Sequence, residues 1–216
     1  MSAGAPDEPP ARTTSPGPTD DELVAACRDG DVRAFAGLLA RHETSVLRVL
    51  RLLGIPSADR EDLGQDVFLR AFRYLGSYRP GRSFAGWLYR ITLNVSHDWQ
   101  RQQATRRSGE VPWSPEAERS VDPGPGPDAR SDHQDLRNRL EAALGCLSER
   151  ERAVFVLCEI EALSTLEVAR ALGITRITVR RHLGLARRRL QSVLAAENAP
   201  GAARSIDRSS VRAGSN

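Results

Sequence analysis

Between Gly109 and Asp135 the chain carries five prolines (Pro112, Pro115, Pro123, Pro125 and Pro127) and seven acidic residues against two arginines. Such a stretch buries too little apolar surface to offset the entropy of ordering it, and its prolines hold it extended. No single core can run through it. It predicts a flexible acidic tether, placed at 103–131, between two small folding units. At roughly 3 Å per residue it would reach up to about 80 Å.

Both flanking blocks show helical periodicity. In the first, a capping-box sequence at Thr19-Asp20-Asp21-Glu22 opens a short helix that ends near Gly30. Phe35, Leu38, Leu39, Val46, Leu50 and Leu53 mark a second helix, stopped by Gly54 and Pro56. Leu63, Val67, Ala71 and Leu75 mark a third, with Phe68 and Phe72 beside the stripe. The loop GSYRPGR leads into a fourth, Ser83 to about Gln102, bearing Phe84, Trp87, Leu88, Ile91, Val95 and Trp99. In the second block, capping boxes at Ser148–Glu151 and Ser164–Glu167 open two helices. Ile174 and Thr175 then separate Gly173 from the stripe Val179, Leu183, Ala186 and Leu190. Aromatics are only 5% of the 216 residues, so the cores rest on Leu, Val and Ala. The expected fold class is all-α: two small helical domains, 20–102 and 132–195, with unstructured ends at 1–19 and 196–216.

Cys27, Cys146 and Cys158 are odd in number, far apart and set among aliphatic residues, without a CxxC. They predict small core residues of a reduced protein, with no disulfide framework and no metal site. The N-terminus lacks the apolar core of a signal peptide, and no apolar run approaches the roughly 20 residues that span a bilayer. The expectation is a cytoplasmic protein with no membrane insertion and no cofactor.

A short capped helix, a glycine turn and a longer helix form a helix-turn-helix pattern, whose second helix enters the major groove of DNA. That helix begins the stretch TRITVRRHLGLARRRL, which holds six arginines and no acid. Net charge is only +3 and every basic residue is arginine, as GC-rich coding alone would produce, so the arrangement carries the argument rather than the total. The apolar stripe must face the core. Thr175 is placed to cap the helix, with Arg176, Ile177, Thr178, Arg180 and Arg181 at base edges or nearby, and Arg187, Arg188 and Arg189 further along, at phosphate distance. The bland alternative is a solvated cationic helix.

A helix-turn-helix names no function beyond DNA binding. The segment DREDLGQDVFLRAFRYLGSYRPGRSFAGWLYRITLNVSHDWQR, 59–101, resembles region 2 of bacterial RNA polymerase sigma factors of the extracytoplasmic-function type. LSERERAVFVLCEIEALSTLEVARALGITRITVRRHLGLARRRL, 147–190, resembles their region 4. The resemblance implies a polymerase subunit that confers promoter specificity, region 2 opening and reading the −10 element and region 4 reading the −35 element. The core-polymerase contacts it implies are the clamp of the β′ subunit and the flap of the β subunit. Asp62, Gln65, Asp66, Phe68, Leu69 and Arg70 would meet the clamp, whereas Val67 and Phe72 read better as core.

Opened bases need planes to stack on and polar groups to read their edges. On this resemblance Tyr78, Arg79, Arg82, Ser83, Trp87, Arg90, Asn94, His97, Asp98 and Arg101 would supply them at the −10 element. Trp87 also reads as a core residue, and Asp98 either as a base reader or as the partner of Arg101. An anti-sigma protein is a further implied partner. The sequence departs from the family's usual pattern at Arg176-Ile177 and at Gly184-Leu185, which bears on the −35 sequence read.

Other readings stand beside this one. A two-domain regulator of the LuxR type shares the LSxRE start and the Thr178-Val179 and His182-Leu183 pairs, but would not need the WLYRI block. A sigma-like decoy would bind partners without reading promoters. An enzyme is disfavoured, because His42-Glu43 lacks the second histidine of a metalloprotease motif and no phosphate loop or nucleophile elbow is present.

Overall fold

The computed structural model describes residues 17–109 and 131–197; the prolines of the expected tether, and the expected unstructured ends apart from 17–19 and 196–197, lie outside these residues, and α8 runs on to Glu197, past the expected domain end at 195. No strand occurs among the described residues. Helix α1 (Asp20–Arg28) opens on the capping box, with Thr19 Oγ1 accepting from the Glu22 amide and the Glu22 carboxylate accepting from the Thr19 amide. Helices α2 (Val32–Leu52) and α3 (Ser57–Arg73) follow, then a 3₁₀ turn (Leu75–Ser77) and α4 (Phe84–Gly109). In the second half come α5 (Ser131–Gly145), α6 (Glu149–Phe155), α7 (Thr165–Leu172) and α8 (Arg176–Glu197). None of these helices is long and apolar enough to cross a membrane.

The first core joins α1 to α4: Val24, Leu38, Val46, Leu50, Val67, Ala71, Leu88 and Val95 are buried together. Phe68 belongs to it, at 6% exposure. Phe72, expected inside, is 44% exposed and rests edge-on against Phe35 at 5.1 Å. Helix α4 continues seven residues past Gln102, because 103–109 contains no proline to stop it. The helix thus extends into 103–109, which the sequence assigns to the tether.

In the second half the capping boxes of α6 and α7 form as the sequence predicts. Gly173 caps α7 at φ +65°, a left-handed conformation that glycine adopts without strain. The stripe Val179, Leu183, Ala186 and Leu190 is buried as its spacing requires. What periodicity did not predict is the end of α6, which widens into a π turn, Val156–Ile160, and is followed by Ala162 at φ +52°.

The halves are not independently cored. Val49 and Leu52 of α2, Leu53 at its C-cap, and Tyr89 and Leu93 of α4 share one apolar cluster with Leu144, Leu147, Val154, Leu157 and Val168. Each of α2 and α4 carries a second apolar face that the first bundle leaves open. The cysteines are free: Cys27 and Cys158 are half-buried, but Cys146 is exposed, against expectation, in the turn between α5 and α6.

Candidate nucleic-acid interface

The front of α8 is an open cationic face. Thr175 Oγ1 accepts from the Thr178 amide at 3.2 Å and lies 2.8 Å from the Thr178 hydroxyl, capping the helix. Arg176, Ile177, Arg180 and Arg181 are all exposed, and Thr178 is half-buried. At about 100° per residue, Ile177, Arg181, Gly184 and Arg188 fall in line on the side opposite the buried stripe. Arg176, Arg180, Arg181 and Arg188 have no ion pair among the described residues.

The rear of α8 is different. Arg187 is paired with Glu159 at 2.5 Å, and Arg189 with Glu151, whose side chain is only 4% exposed. The sequence shows no acid within the arginine run, but α6 and its π turn bring two carboxylates to it. Of the three arginines expected to hold phosphate, Arg188 alone is left without such a partner among the described residues. Glu151 has a double role, because its carboxylate also accepts from the Ser148 amide and hydroxyl. Burial pushes this carboxyl up, but the Ser148 bonds and the Arg189 charge outweigh it and hold the group below the ordinary range.

The loop 77–83 is fixed by α1. Arg28 donates to the carbonyls of Leu75, Gly76 and Tyr78, and the Asp21 carboxylate accepts from the Tyr78 hydroxyl at 2.5 Å and the Gly81 amide at 2.8 Å. The Tyr78 bond first, then the Gly81 bond, hold the Asp21 carboxyl below its ordinary value. In the sequence Asp21 and Arg28 carry no such signal, since they read only as helix-end charges. Tyr78 itself is 3% exposed, its single hydroxyl proton is shared between Asp21 and the Arg82 carbonyl 2.6 Å away, and its ring packs against Phe84 and Trp87. In this arrangement it organises the loop and offers no face for stacking.

Around that loop Arg79, Arg82, Ser83, Trp87 and Arg90 line a cavity of about 290 Å³, which α7 completes with Glu167 and Arg170. Ser83 caps α4 by accepting from the Gly86 amide at 3.0 Å. Trp87 is half-buried, with one edge in the aromatic cluster and Nε1 3.4 Å from Ser77 Oγ. Along α4, Arg90, Asn94, His97 and Arg101 are all exposed, and their spacing of four, three and four residues puts them on one stripe. Asp98 leaves this set. It pairs with Arg70 of α3 at 2.9 Å, not with Arg101, and Arg70 also holds Asp66 at 2.9 Å.

On α3, Asp62, Gln65 and Leu69 are exposed, with Leu69 at 57%. Asp66 and Arg70 are half-buried in the ion-pair network, and Phe68 points into the core. The expected docking face thus reduces to its outer residues. No group of three or more His, Cys, Asp or Glu among the described residues could hold a metal ion.

These features define a two-part, all-helical protein whose C-terminal half is a helix-turn-helix with an open arginine face. Residues 38–106 match the family model for sigma-70 region 2, and residues 137–190 match sigma-70, region 4. The chain is 33% identical to the RNA polymerase sigma factor CnrH of Cupriavidus metallidurans, over 85% of this chain and 98% of that protein. It is 36% identical to the ECF RNA polymerase sigma factor SigE of Mycolicibacterium smegmatis, over 82% of this chain and 70% of that one. The solved structure of CnrH in complex with the cytosolic domain of CnrY superposes with a TM-score of 0.63 at 31% identity, covering 82% of this chain and 98% of CnrH. The chain belongs to the extracytoplasmic-function subfamily of the sigma-70 family.

Proposed function

We propose that the chain binds core RNA polymerase and directs it to promoters, region 2 opening and reading the −10 element while region 4 reads the −35 element. The observation that carries this is the pairing of two separate arginine-bearing faces in one chain of this family. One is the loop-and-α4 surface of Arg79, Arg82, Arg90 and Arg101, suited to a single strand; the other is the front of α8, suited to a major groove. Arg79, Arg82, Trp87, Arg90, Asn94, His97 and Arg101 are the residues for the opened strand, with Ser83 capping the helix that carries them. Thr175, Arg176, Ile177, Thr178, Arg180, Arg181 and Arg188 are those for the duplex.

Asp62, Gln65 and Leu69 supply the surface that meets the clamp of the β′ subunit in this reading, and region 4 faces the flap of the β subunit. A cytoplasmic location follows from working on that enzyme. An anti-sigma partner belongs to the same proposal, supported by the structure of CnrH in complex with the cytosolic domain of CnrY. Footprinting of the reconstituted holoenzyme on a transcribed promoter tests it. The expected result is two protected patches, with permanganate-reactive thymines confined to the downstream one; a single upstream patch without strand opening would point to a DNA-binding regulator instead.

A further inference from the structure

Ile177 is 77% exposed, more than any other large apolar side chain among the described residues. A single exposed apolar residue is ordinary on a protein surface. This one sits in the first turn of α8, diametrically opposite the buried stripe, with Arg176 beside it and Arg180 and Arg181 one turn on. In a helix-turn-helix that first turn lies nearest the base edges. Burial inside the protein explains Val179 and its stripe; no contact among the described residues explains Ile177.

Three arginines around an apolar side chain make a mixed reader. Guanidiniums match the acceptors of guanine or the phosphates, whereas an apolar branched chain matches only the C5-methyl group of thymine in the major groove. Gly184 lies two turns further along the same line with open space at its Cα, the nearest foreign atom to an added Cβ being Arg188 Nη1 at 3.8 Å. Nothing on the DNA-facing line therefore holds the helix away from the groove at that point.

We propose that Ile177 is a specificity-determining residue that packs on a thymine methyl group within the upstream promoter element. This rests on the reading that α8 occupies that element. Uracil pairs like thymine but lacks the methyl group, so it isolates the contact. Burying one such group changes binding about four-fold.

The test uses holoenzyme reconstituted from core polymerase and the full chain, with promoter DNA selected by that holoenzyme from a random-sequence library. Each thymine of the upstream protected patch is replaced in turn by deoxyuridine, and affinity is measured for the natural chain and for Ile177→Ala. The expected result is about a four-fold weakening at one or two positions, absent in Ile177→Ala. Upstream protection that is equally strong with thymine and uracil at every position overturns the assignment of Ile177 and leaves the upstream reading standing. The same position-specific loss in Ile177→Ala as in the natural chain also overturns it, since another residue then makes the contact. Absence of any upstream protection on all-thymine DNA overturns the reading of α8 and the proposal with it.

Discussion

The Tyr89 phenol donates a 2.5 Å hydrogen bond to the Glu161 carboxylate, and the two residues come from opposite halves of the chain. Arg48 of α2 donates to the same carboxylate at 2.8 and 3.0 Å, and the Glu161 side chain is only 4% exposed. Glu161 follows directly on the π turn and precedes Ala162 in its left-handed conformation, so an irregular backbone aims it at the first half. Glu161→Ala leaves a buried phenol without its acceptor, at a cost of about 1–3 kcal/mol. Denaturant unfolding measures the loss, and small-angle scattering should show the two halves separating more readily than in the natural chain.

Alkaline pH should act through the same contact. Burial first, then the bond to Glu161, push the Tyr89 phenol well above its ordinary value. Its folded value is raised, so its stabilising effect is complete below about pH 10, the unfolded value, and fades as pH rises toward the folded one. Burial and Asp21 raise the Tyr78 phenol likewise. Stability measured from pH 8 to 11 should therefore fall above about pH 10, and fall less steeply in Tyr89→Phe.

The two arginines at 188 and 189 should part company on substitution. Arg188→Ala is expected to lower the salt dependence of DNA binding by about 0.9 in slope, the weight of one phosphate contact, with unfolding unchanged. Arg189→Ala should instead cost about 0.5–1.5 kcal/mol of stability, because it removes the charged partner from the nearly buried Glu151 carboxylate, which keeps its Ser148 bonds. Urea titration and salt-dependent binding, run on both variants, separate the two roles.

The turn of the helix-turn-helix offers a backbone test. Gly173→Ala forces a side chain into φ +65° and should destabilise the second half by about 1–2 kcal/mol. Upstream DNA binding should weaken as well, since this turn sets the angle between α7 and α8. Thermal unfolding and binding of the same preparation check both effects.

What could be read from the residues was local. Three capping boxes, the glycine turn and the buried stripe of α8 each depend on side chains within a few positions of one another, and each is present. Phe68 and Phe72 show where such reasoning stops: they stand four apart, the resemblance puts Phe68 on the clamp surface and the pattern puts Phe72 in the core, and the fold exchanges their places. The resemblance implies an open Tyr78 ring, because nothing in the loop itself announces that Asp21, 57 residues earlier, holds its hydroxyl. Glu151 and Glu159 lie too far back in the chain for a scan of the arginine run to pair them with Arg189 and Arg187. The cluster shared by the two halves needed the second apolar faces of α2 and α4, which a search for one stripe per helix passes over. Family membership was legible because two long motifs occur in order; the roles of single residues within them were not.

The central claim is that the chain acts as a promoter-specificity subunit. The most direct measurement is run-off transcription from a library of promoter fragments, with purified core polymerase and this chain as the only added factor. Transcripts from defined start sites are expected, absent with core enzyme alone and strongly reduced by joint replacement of Arg176, Arg180 and Arg181 with alanine. Transcription that starts only when a different sigma factor is also supplied would contradict it.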